Sequence, residues 1–301
     1  MYDVIIIGGG TAGITAGIYT ARAGKKALII EAVVCGGQII NAKEIENYPA
    51  IQKISGADFA LSLYEQAVNL GVAFAFSLVI GVTDNTDYKT VKTAKKEYSG
   101  KTVIIATGAK KRTLALEREK ELTGHGVSYC ATCDGTFYKN KPTAVLGGGI
   151  LALEDALYLS ALSSKVYLIH KGAAFSGSKN TLALLEEKEN VQIFTSTATI
   201  KLLGDKTLTG IELENSKTKE TFTIAVDGLF VAVGTTPQNE VFAEVVNLDE
   251  KGYIIAAEDC KTKTNGIFAA GDCRTKTLRQ LTTAAADGAV AATNALLTSN
   301  K

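Results

Sequence analysis

Val4-Ile5-Ile6-Ile7-Gly8-Gly9-Gly10-Thr11-Ala12-Gly13 joins an apolar run to a glycine-rich loop near the start of a 301-residue chain. The run Val4 to Ile7 predicts a buried strand, the segment through Thr11, Ala12 and Gly13 a loop, and Ile14 to Ala23 a helix. Lys26 to Ile30 predicts a second strand, which ends on an acid, Glu31. Strand, glycine loop, helix, strand and acid in this order are the fingerprint of a dinucleotide-binding unit. Gly8 permits the tight turn, Gly10 the close approach of a pyrophosphate, and Gly13 close packing of helix on strand. The helix N-terminus faces the phosphates, and Glu31 can accept hydrogen bonds from an adenosine ribose.

A second copy lies further along. Ala144-Val145-Leu146 is strand-like, Gly147-Gly148-Gly149-Ile150-Leu151-Ala152 is its loop, Leu153 to Leu162 its helix and Lys165 to Ile169 its next strand. The offset is constant: Gly8 to Gly147 and Glu31 to His170 are both 139 residues. The copies differ at the ligand. The ribose position is His170, followed by Lys171 and Gly172, and bulky Ile150 and Leu151 stand where a phosphate would lie. Either the loop takes NADP with Lys171 near the 2′-phosphate, or the unit kept its fold and lost its nucleotide.

Thr102 to Gly108 and Gly266 to Asp272 read as further strands ending in turns, and Thr282 to Leu297 as an alanine-rich helix. The expected architecture is α/β, with two Rossmann-like three-layer dinucleotide-binding domains, the second inserted in the first. Residues 1–110 and 240–301 would form the first domain and 111–239 the insertion.

The insertion carries Cys130-Ala131-Thr132-Cys133-Asp134-Gly135. Two thiols separated by two residues can share one turn as a dithiol or a disulfide. One of them can act as a thiolate nucleophile, with the neighbouring carboxyl exchanging the proton. Disulfide reduction is the chemistry suggested. A zinc site would need two more ligands, and no second such motif exists, so no metal is expected. Cys35, Cys260 and Cys273 read as small buried residues. Five cysteines without a framework spacing suit a reducing, cytoplasmic setting. The net charge of +1 points neither to nucleic acid nor to a lipid surface. No apolar run has membrane length, and the N-terminus lacks the pattern of a signal peptide.

Taken together, these segments resemble the low-molecular-weight thioredoxin reductases. The matching stretches are Gly8 to Gly13, Gly36-Gly37-Gln38, Glu46-Asn47-Tyr48-Pro49, Ala106-Thr107-Gly108-Ala109, Cys130 to Gly135, Ala270-Gly271-Asp272 and Leu278-Arg279-Gln280. The resemblance implies FAD, a cytoplasmic homodimer and thioredoxin as substrate. It places Gly8, Gly10, Thr11, Ala12, Gly13 and Glu31 at the ADP half of FAD. Gln38, Asn47 and Thr107 fall near the flavin, Asp272 at the ribityl and phosphate section and Gln280 beside the pyrimidine, with Gly37, Gly108 and Arg279 also among the cofactor-binding residues. It further implies that Cys133 lies nearest the flavin, that Cys130 attacks thioredoxin, and that Asp134 is the general acid and base.

The sequence departs from the family at one place. The family's second loop reads Gly-Gly-Gly-Asp-Ser-Ala, and its NADPH segment His-Arg-Arg with a further Arg. Here Asp and Ser are Ile150 and Leu151, and the arginines are Lys171, Gly172 and Ser176. Arg is the side chain suited to bidentate phosphate binding, and each lost contact costs about 1.5–3 kcal/mol. NADPH is therefore not expected to bind. The pattern resembles the ferredoxin-dependent flavin thioredoxin reductases of clostridia and some cyanobacteria. Ferredoxins are acidic, and Lys89 to Arg112 holds eight basic residues against one acid, either a steering patch or an ordinary solvated surface. The rival readings are a reductase using NADPH or NADH through an unusual site, and a flavin redox sensor without turnover.

Overall fold

The structure, a computed structural model, describes residues 1–42 and 44–299. Strand β1 (Tyr2–Ile7), helix α1 (Thr11–Arg22) and strand β2 (Ala27–Glu31) form the first βαβ unit. The two strands are parallel, from Val4 opposite Ala27 to Ile7 opposite Ile30. Val4 to Ile7 are buried throughout. A parallel strand covered on both faces needs such an unbroken apolar run. Helix α2 (Gly56–Asn69) leads to β3 (Ala73–Phe76), which lies beside β2. Strands β4 (Val79–Asp84), β5 (Lys89–Thr93) and β6 (Glu97–Ile105) follow as an antiparallel meander, and β6 then runs parallel to β1.

The chain leaves this unit through β7 (Ala109–Lys111). It then forms α3 (Glu119–Leu122), β8 (Val127–Ser128), α4 (Ala131–Asp134), β9 (Pro142–Leu146), α5 (Ile150–Ser160), β10 (Lys165–Ile169), α6 (Lys179–Glu186) and β11 (Val191–Phe194). An antiparallel sheet of β12 (Thr197–Leu203), β13 (Gly210–Asn215) and β14 (Thr221–Ala225) precedes β15 (Gly228–Val231). Strand β16 (Thr235–Pro237) returns the chain, which ends with β17 (Ile267–Ala269), parallel to β6, and α7 (Leu281–Ser299). The chain divides into two compact units, Met1–Lys110 with Thr236–Lys301, and Lys111–Thr235.

Each unit has three layers because its central strands send alternate residues to opposite faces. In the discontinuous unit, Val4, Ile6, Ile29 and Ile104 pack with Ala12, Ala16, Ala291 and Ala295 of the helices. Ile5, Ile7, Leu28 and Ile105 pack with Val79, Val82 and Val91 of the meander. In the inserted unit the order is β11-β10-β9-β15-β8, all parallel. Val145, Leu168 and Phe230 meet Leu153 and Leu159 of α5. Ala144, Leu146 and Ile169 meet Leu202, Ile211 and Leu213 of the antiparallel sheet. The α/β class with two dinucleotide-binding units is as read from the sequence. Both loop helices start three residues earlier than their apolar periodicity suggests, at Thr11 and Ile150. Gly10 and Gly149 are their extended N-caps, so each helix begins directly after the third glycine.

Candidate functional site

In the discontinuous unit the first glycine loop is shaped by contacts a side chain would block. Gly8 has φ +108°, and a Cβ there would overlap Ala106 O. A Cβ on Gly13 would overlap Gly8 O, so the start of α1 rests directly on the loop. Gly10, by contrast, has no atom within 4 Å of where its Cβ would stand. Helix α1, which begins with the buried Thr11 and Ala12, has no side-chain cap and no acid in its first turn. Its first amide donors therefore favour an anion. Glu31, at the end of β2, accepts from Gly9 N–H at 2.7 Å through Oε2 and from Val33 N–H at 3.0 Å through Oε1. Burial and the Glu31 charge push the neighbouring Cys35 thiol up to about 11.

Several of the other expected residues meet one another. A Cβ on Gly37 would lie 3.5 Å from Gly10 Cα, against the glycine loop. Gln38 Nε2 donates to Ala109 O. Asn47 Nδ2 donates to Gln280 Oε1 at 3.3 Å, joining residues distant in sequence. Thr107 Oγ1 donates to Asn239 Oδ1 at 3.2 Å, and Gly108 beside it has open space at its Cβ position. Asn239 is fully buried and donates to Gly252 O and Cys273 O, both at 2.9 Å. No local motif marks Asn239, because its partners come from three distant segments.

Asp272 has an Oδ1 sealed from solvent without a hydrogen-bond partner. Burial raises its carboxyl pKa, and Lys276 and Arg279 oppose that. Its loop is tied to α7 by Asp287. That carboxylate accepts from Gly271 N–H at 2.8 Å, Arg274 Nε and Nη2 at 2.8 Å each, and Lys276 Nζ at 2.9 Å. Arg279 directs its guanidinium to the carbonyls of Asp272, Arg274 and Lys276 and stacks on Tyr253 at 4.2 Å. It braces the loop here. Asp287 was legible only as a lone acid in an alanine-rich helix.

The inserted unit holds the redox pair. Cys130 and Cys133 form a disulfide, with Cα atoms 5.3 Å apart. The short helix α4 carries Cys133 and Asp134, and Asp134 N–H donates to Cys130 O at 3.1 Å. Ser128 Oγ donates to Asp134 Oδ2 at 2.6 Å and accepts from Cys130 N–H at 3.1 Å. Burial raises the Asp134 pKa, with Ser128 and then Lys111 opposing it. Lys111 Nζ stands 5.2 Å from the Tyr129 ring centre, and Tyr129 OH donates to Glu119 at 2.5 Å. Disulfide, carboxyl, hydroxyl and ammonium thus lie together in the inserted unit, the groups that thiol–disulfide exchange with proton transfer would need.

The second glycine loop of the same unit is crowded by its own chain at Gly148, whereas Gly149, like Gly10, has no atom within 4 Å of where its Cβ would stand. A Cβ on Gly148 would overlap the His170 ring. Phe175 packs on that ring at 5.2 Å, and Ser176 donates to Gly148 O from N at 2.7 Å and from Oγ at 3.1 Å. Ile150 and Leu151, in the first turn of α5, are exposed. The basic stretch Lys89 to Arg112 is not one uniform patch. Lys89 is buried and paired with Asp84 at 2.6 Å, Lys101 pairs with Asp3 at 2.9 Å, and Lys95 donates to Phe76 O at 2.9 Å.

Residues 2–288 match the pyridine nucleotide-disulphide oxidoreductase family. A thioredoxin reductase of Listeria innocua is 40% identical over 98% of this chain and 93% of its own. A 34.2 kDa protein in the rubredoxin operon of Clostridium pasteurianum is 38% identical over 96% of this chain and 94% of its own. The thioredoxin reductase structure from Streptococcus pyogenes superposes with a TM-score of 0.93 at 38% identity, covering 99% of this chain and 97% of that one. The chain belongs to the pyridine nucleotide-disulphide oxidoreductases, among the low-molecular-weight thioredoxin reductases. Membership implies FAD, and the discontinuous unit fits it. The open face at Gly10 suits a pyrophosphate, and the orphaned Asp272 Oδ1 lacks the partner that a buried carboxylate requires.

Proposed function

We propose that this chain reduces thioredoxin through FAD and the Cys130–Cys133 pair, with electrons drawn from reduced ferredoxin instead of a nicotinamide nucleotide. The observation that carries the activity is the Cys130–Cys133 disulfide with Asp134 tethered beside it by Ser128. The full-length match to thioredoxin reductases supports the substrate.

When bound, FAD supplies the electron pair and can collect it singly. The discontinuous unit, residues 1–110 with 236–301, is the domain that would hold it, its return point a few residues before the 240 expected from sequence. Gly8, Gly10, Thr11, Ala12, Gly13 and Glu31 take the ADP half, Gly37, Gln38, Asn47, Thr107, Gly108 and Gln280 border the flavin, and Asp272 takes the ribityl chain, with Arg279 supporting it. The inserted unit, residues 111–235, carries the chemistry of exchange. Two electrons and two protons convert the Cys130–Cys133 disulfide to a dithiol. The Cys130 thiolate attacks one sulfur of the thioredoxin disulfide and forms a mixed disulfide. Cys133 then attacks Cys130, re-forms the intramolecular bond and releases the thioredoxin dithiol. In each of the two exchanges Asp134 takes the proton of the attacking thiol, Cys130 and then Cys133, and gives it to the departing thioredoxin thiolate.

Three observations support a donor other than NADPH. His170 and Ser176 crowd Gly148, exposed Ile150 and Leu151 stand at the start of α5 where the family has polar residues, and positions 171, 172 and 176 hold Lys, Gly and Ser in place of arginine. The rubredoxin-operon relative is consistent with an iron-protein donor. A cytoplasmic homodimer completes the reading. A second reading, an NADPH- or NADH-dependent reductase, draws on two observations: α5 keeps an uncapped glycine-loop start like that of α1, and Gly149 is as open as Gly10. Steady-state thioredoxin reduction by wild type and Cys130→Ser tests the outlet. Wild-type turnover with none in the variant supports it, and turnover in both refutes it.

A further inference from the structure

We propose that Ser128 is the positioning residue of the proton-transfer group: it fastens Asp134 to the backbone of Cys130, so that carboxyl and nucleophilic cysteine stay in register while the disulfide opens and closes. This rests on the reading of Cys130, Cys133 and Asp134 above and adds a residue to that site.

The geometry is specific. Ser128 is buried, on the short strand β8, whose neighbour Phe230 of β15 pairs with it in the parallel sheet. A hydroxyl has one hydrogen to donate. Of the two acceptors within reach, Asp134 Oδ2 at 2.6 Å is far closer than Cys130 O at 3.4 Å, so the hydrogen goes to the carboxylate. An O–H donated to a charged oxygen at that distance is among the stronger hydrogen bonds. The lone pair then accepts from Cys130 N–H at 3.1 Å. One atom therefore joins the acid, the nucleophile's backbone and the rigid sheet. Asp134 also bonds Cys130 O through its own N–H, so the turn and its acid form a closed loop with Ser128.

The other charges around Asp134 are identifiable. Lys111 from β7 faces it and opposes the effect of burial. Tyr138, in the turn after α4, feels the charges of Asp134 and Asp227, and its own pKa is raised chiefly by burial. Glu119 is engaged by Tyr129 OH and Leu114 N–H. Removing the Ser128 hydroxyl takes away a group that favours the ionised acid, so the Asp134 pKa moves up.

The test compares wild type, Ser128→Ala, Ser128→Thr and Asp134→Asn holoenzymes. Two profiles against pH are measured: kcat for thioredoxin reduction, and the rate of Cys130 alkylation by iodoacetamide in the dithionite-reduced protein. We expect Ser128→Ala to retain its FAD and its KM for thioredoxin, and to lose 10- to 100-fold in kcat, a fraction of what general acid–base catalysis supplies. The limb that disappears in Asp134→Asn should move to higher pH in Ser128→Ala and return in Ser128→Thr. If Ser128→Ala does not fold, Ser128→Cys, a weaker donor of similar volume, takes its place. Wild-type profiles in the hydroxyl-free variant, or a loss confined to KM, overturn the proposal. If wild type does not reduce thioredoxin, the functional reading fails separately, and the alkylation profile still judges Ser128.

Discussion

Glu31 Oε2 accepts the Gly9 N–H at 2.7 Å, whereas His170, the residue 139 positions on, lays its ring against Gly148. The same backbone unit thus ends once in a carboxylate that accepts from its loop and once in an imidazole ring packed on it, while the third glycine, Gly10 or Gly149, is open in both. The carboxylate at Glu31 fixes the first loop and leaves an acceptor edge for a ribose. Glu31→Ala removes a charged hydrogen bond of about 1.5–3 kcal/mol. FAD release, followed by the rise in flavin fluorescence on dilution, should show affinity about 10- to 100-fold weaker, with the Cys130–Cys133 exchange chemistry intact when FAD is saturating.

Asp287 holds Arg274 and Lys276 in a site where both it and Arg274 are buried. Removing one partner of such a pair leaves a buried charge uncompensated and costs about 3–5 kcal/mol. Asp287→Asn should therefore lower the denaturant midpoint and weaken FAD binding, because Gly271 loses its anchor and Asp272 its placement. Burial raises the Asp287 pKa, but bonds from Arg274 and Lys276 outweigh it and hold the carboxyl below its usual range. Its folded pKa lies below the unfolded one, so the stabilisation is present at neutral pH and is lost as the solution is acidified through the folded pKa. Wild type and Asp287→Asn should converge in stability at low pH. Separate curves that stay parallel down to acid would contradict this.

Asp155 shows the opposite sign. It is buried in α5, and burial, with Glu154 second, pushes its carboxyl up to about 7. The folded state thus binds a proton that the unfolded state has released, and stability falls as pH rises between about 4 and 7. Asp155→Asn removes that dependence. Thermal unfolding at pH 8 should show the variant more stable, by on the order of 2–4 kcal/mol at about 1.4 kcal/mol per pH unit. At pH 4 the two proteins should match.

Much of this was readable in the sequence for a physical reason. A glycine loop is a local object, since the residues that permit its turn, Gly8 and Gly13, lie within one helix start of each other. The disulfide pair is equally local. Apolar runs such as Val4 to Ile7 and Lys165 to Ile169 mark strands because parallel strands are buried on both faces. Supports built from distant segments were not legible. Asn239 gathers Thr107, Gly252 and Cys273, and Asp287 gathers Gly271 and Arg274, with no spacing to announce either. Ser128 sits only two residues before Cys130, but its role depends on α4 turning Asp134 back toward β8. The lysine-rich stretch shows the converse, because a linear count of charge cannot foresee that Lys89 is buried against Asp84.

The altered residues around the second loop also predict what restoring the family pattern would do. Replacing Ile150 and Leu151 by Asp and Ser, with arginines at 171, 172 and 176, restores the polar helix start and the cationic grip on a 2′-phosphate. Such a variant should gain NADPH-dependent thioredoxin reduction by at least 10-fold over wild type in a steady-state assay. Arginines added without the Ile150 and Leu151 changes should gain less.

On the proposed reading electrons enter through FAD without a nicotinamide and leave through Cys130–Cys133. Anaerobic titration of the oxidised holoenzyme, followed by bleaching of the flavin absorbance, tests it most directly. Stoichiometric reduced ferredoxin should bleach the flavin and yield two alkylatable thiols at Cys130 and Cys133, while millimolar NADPH or NADH should leave the spectrum unchanged. Prompt bleaching at micromolar NADPH, with no response to reduced ferredoxin, would contradict it.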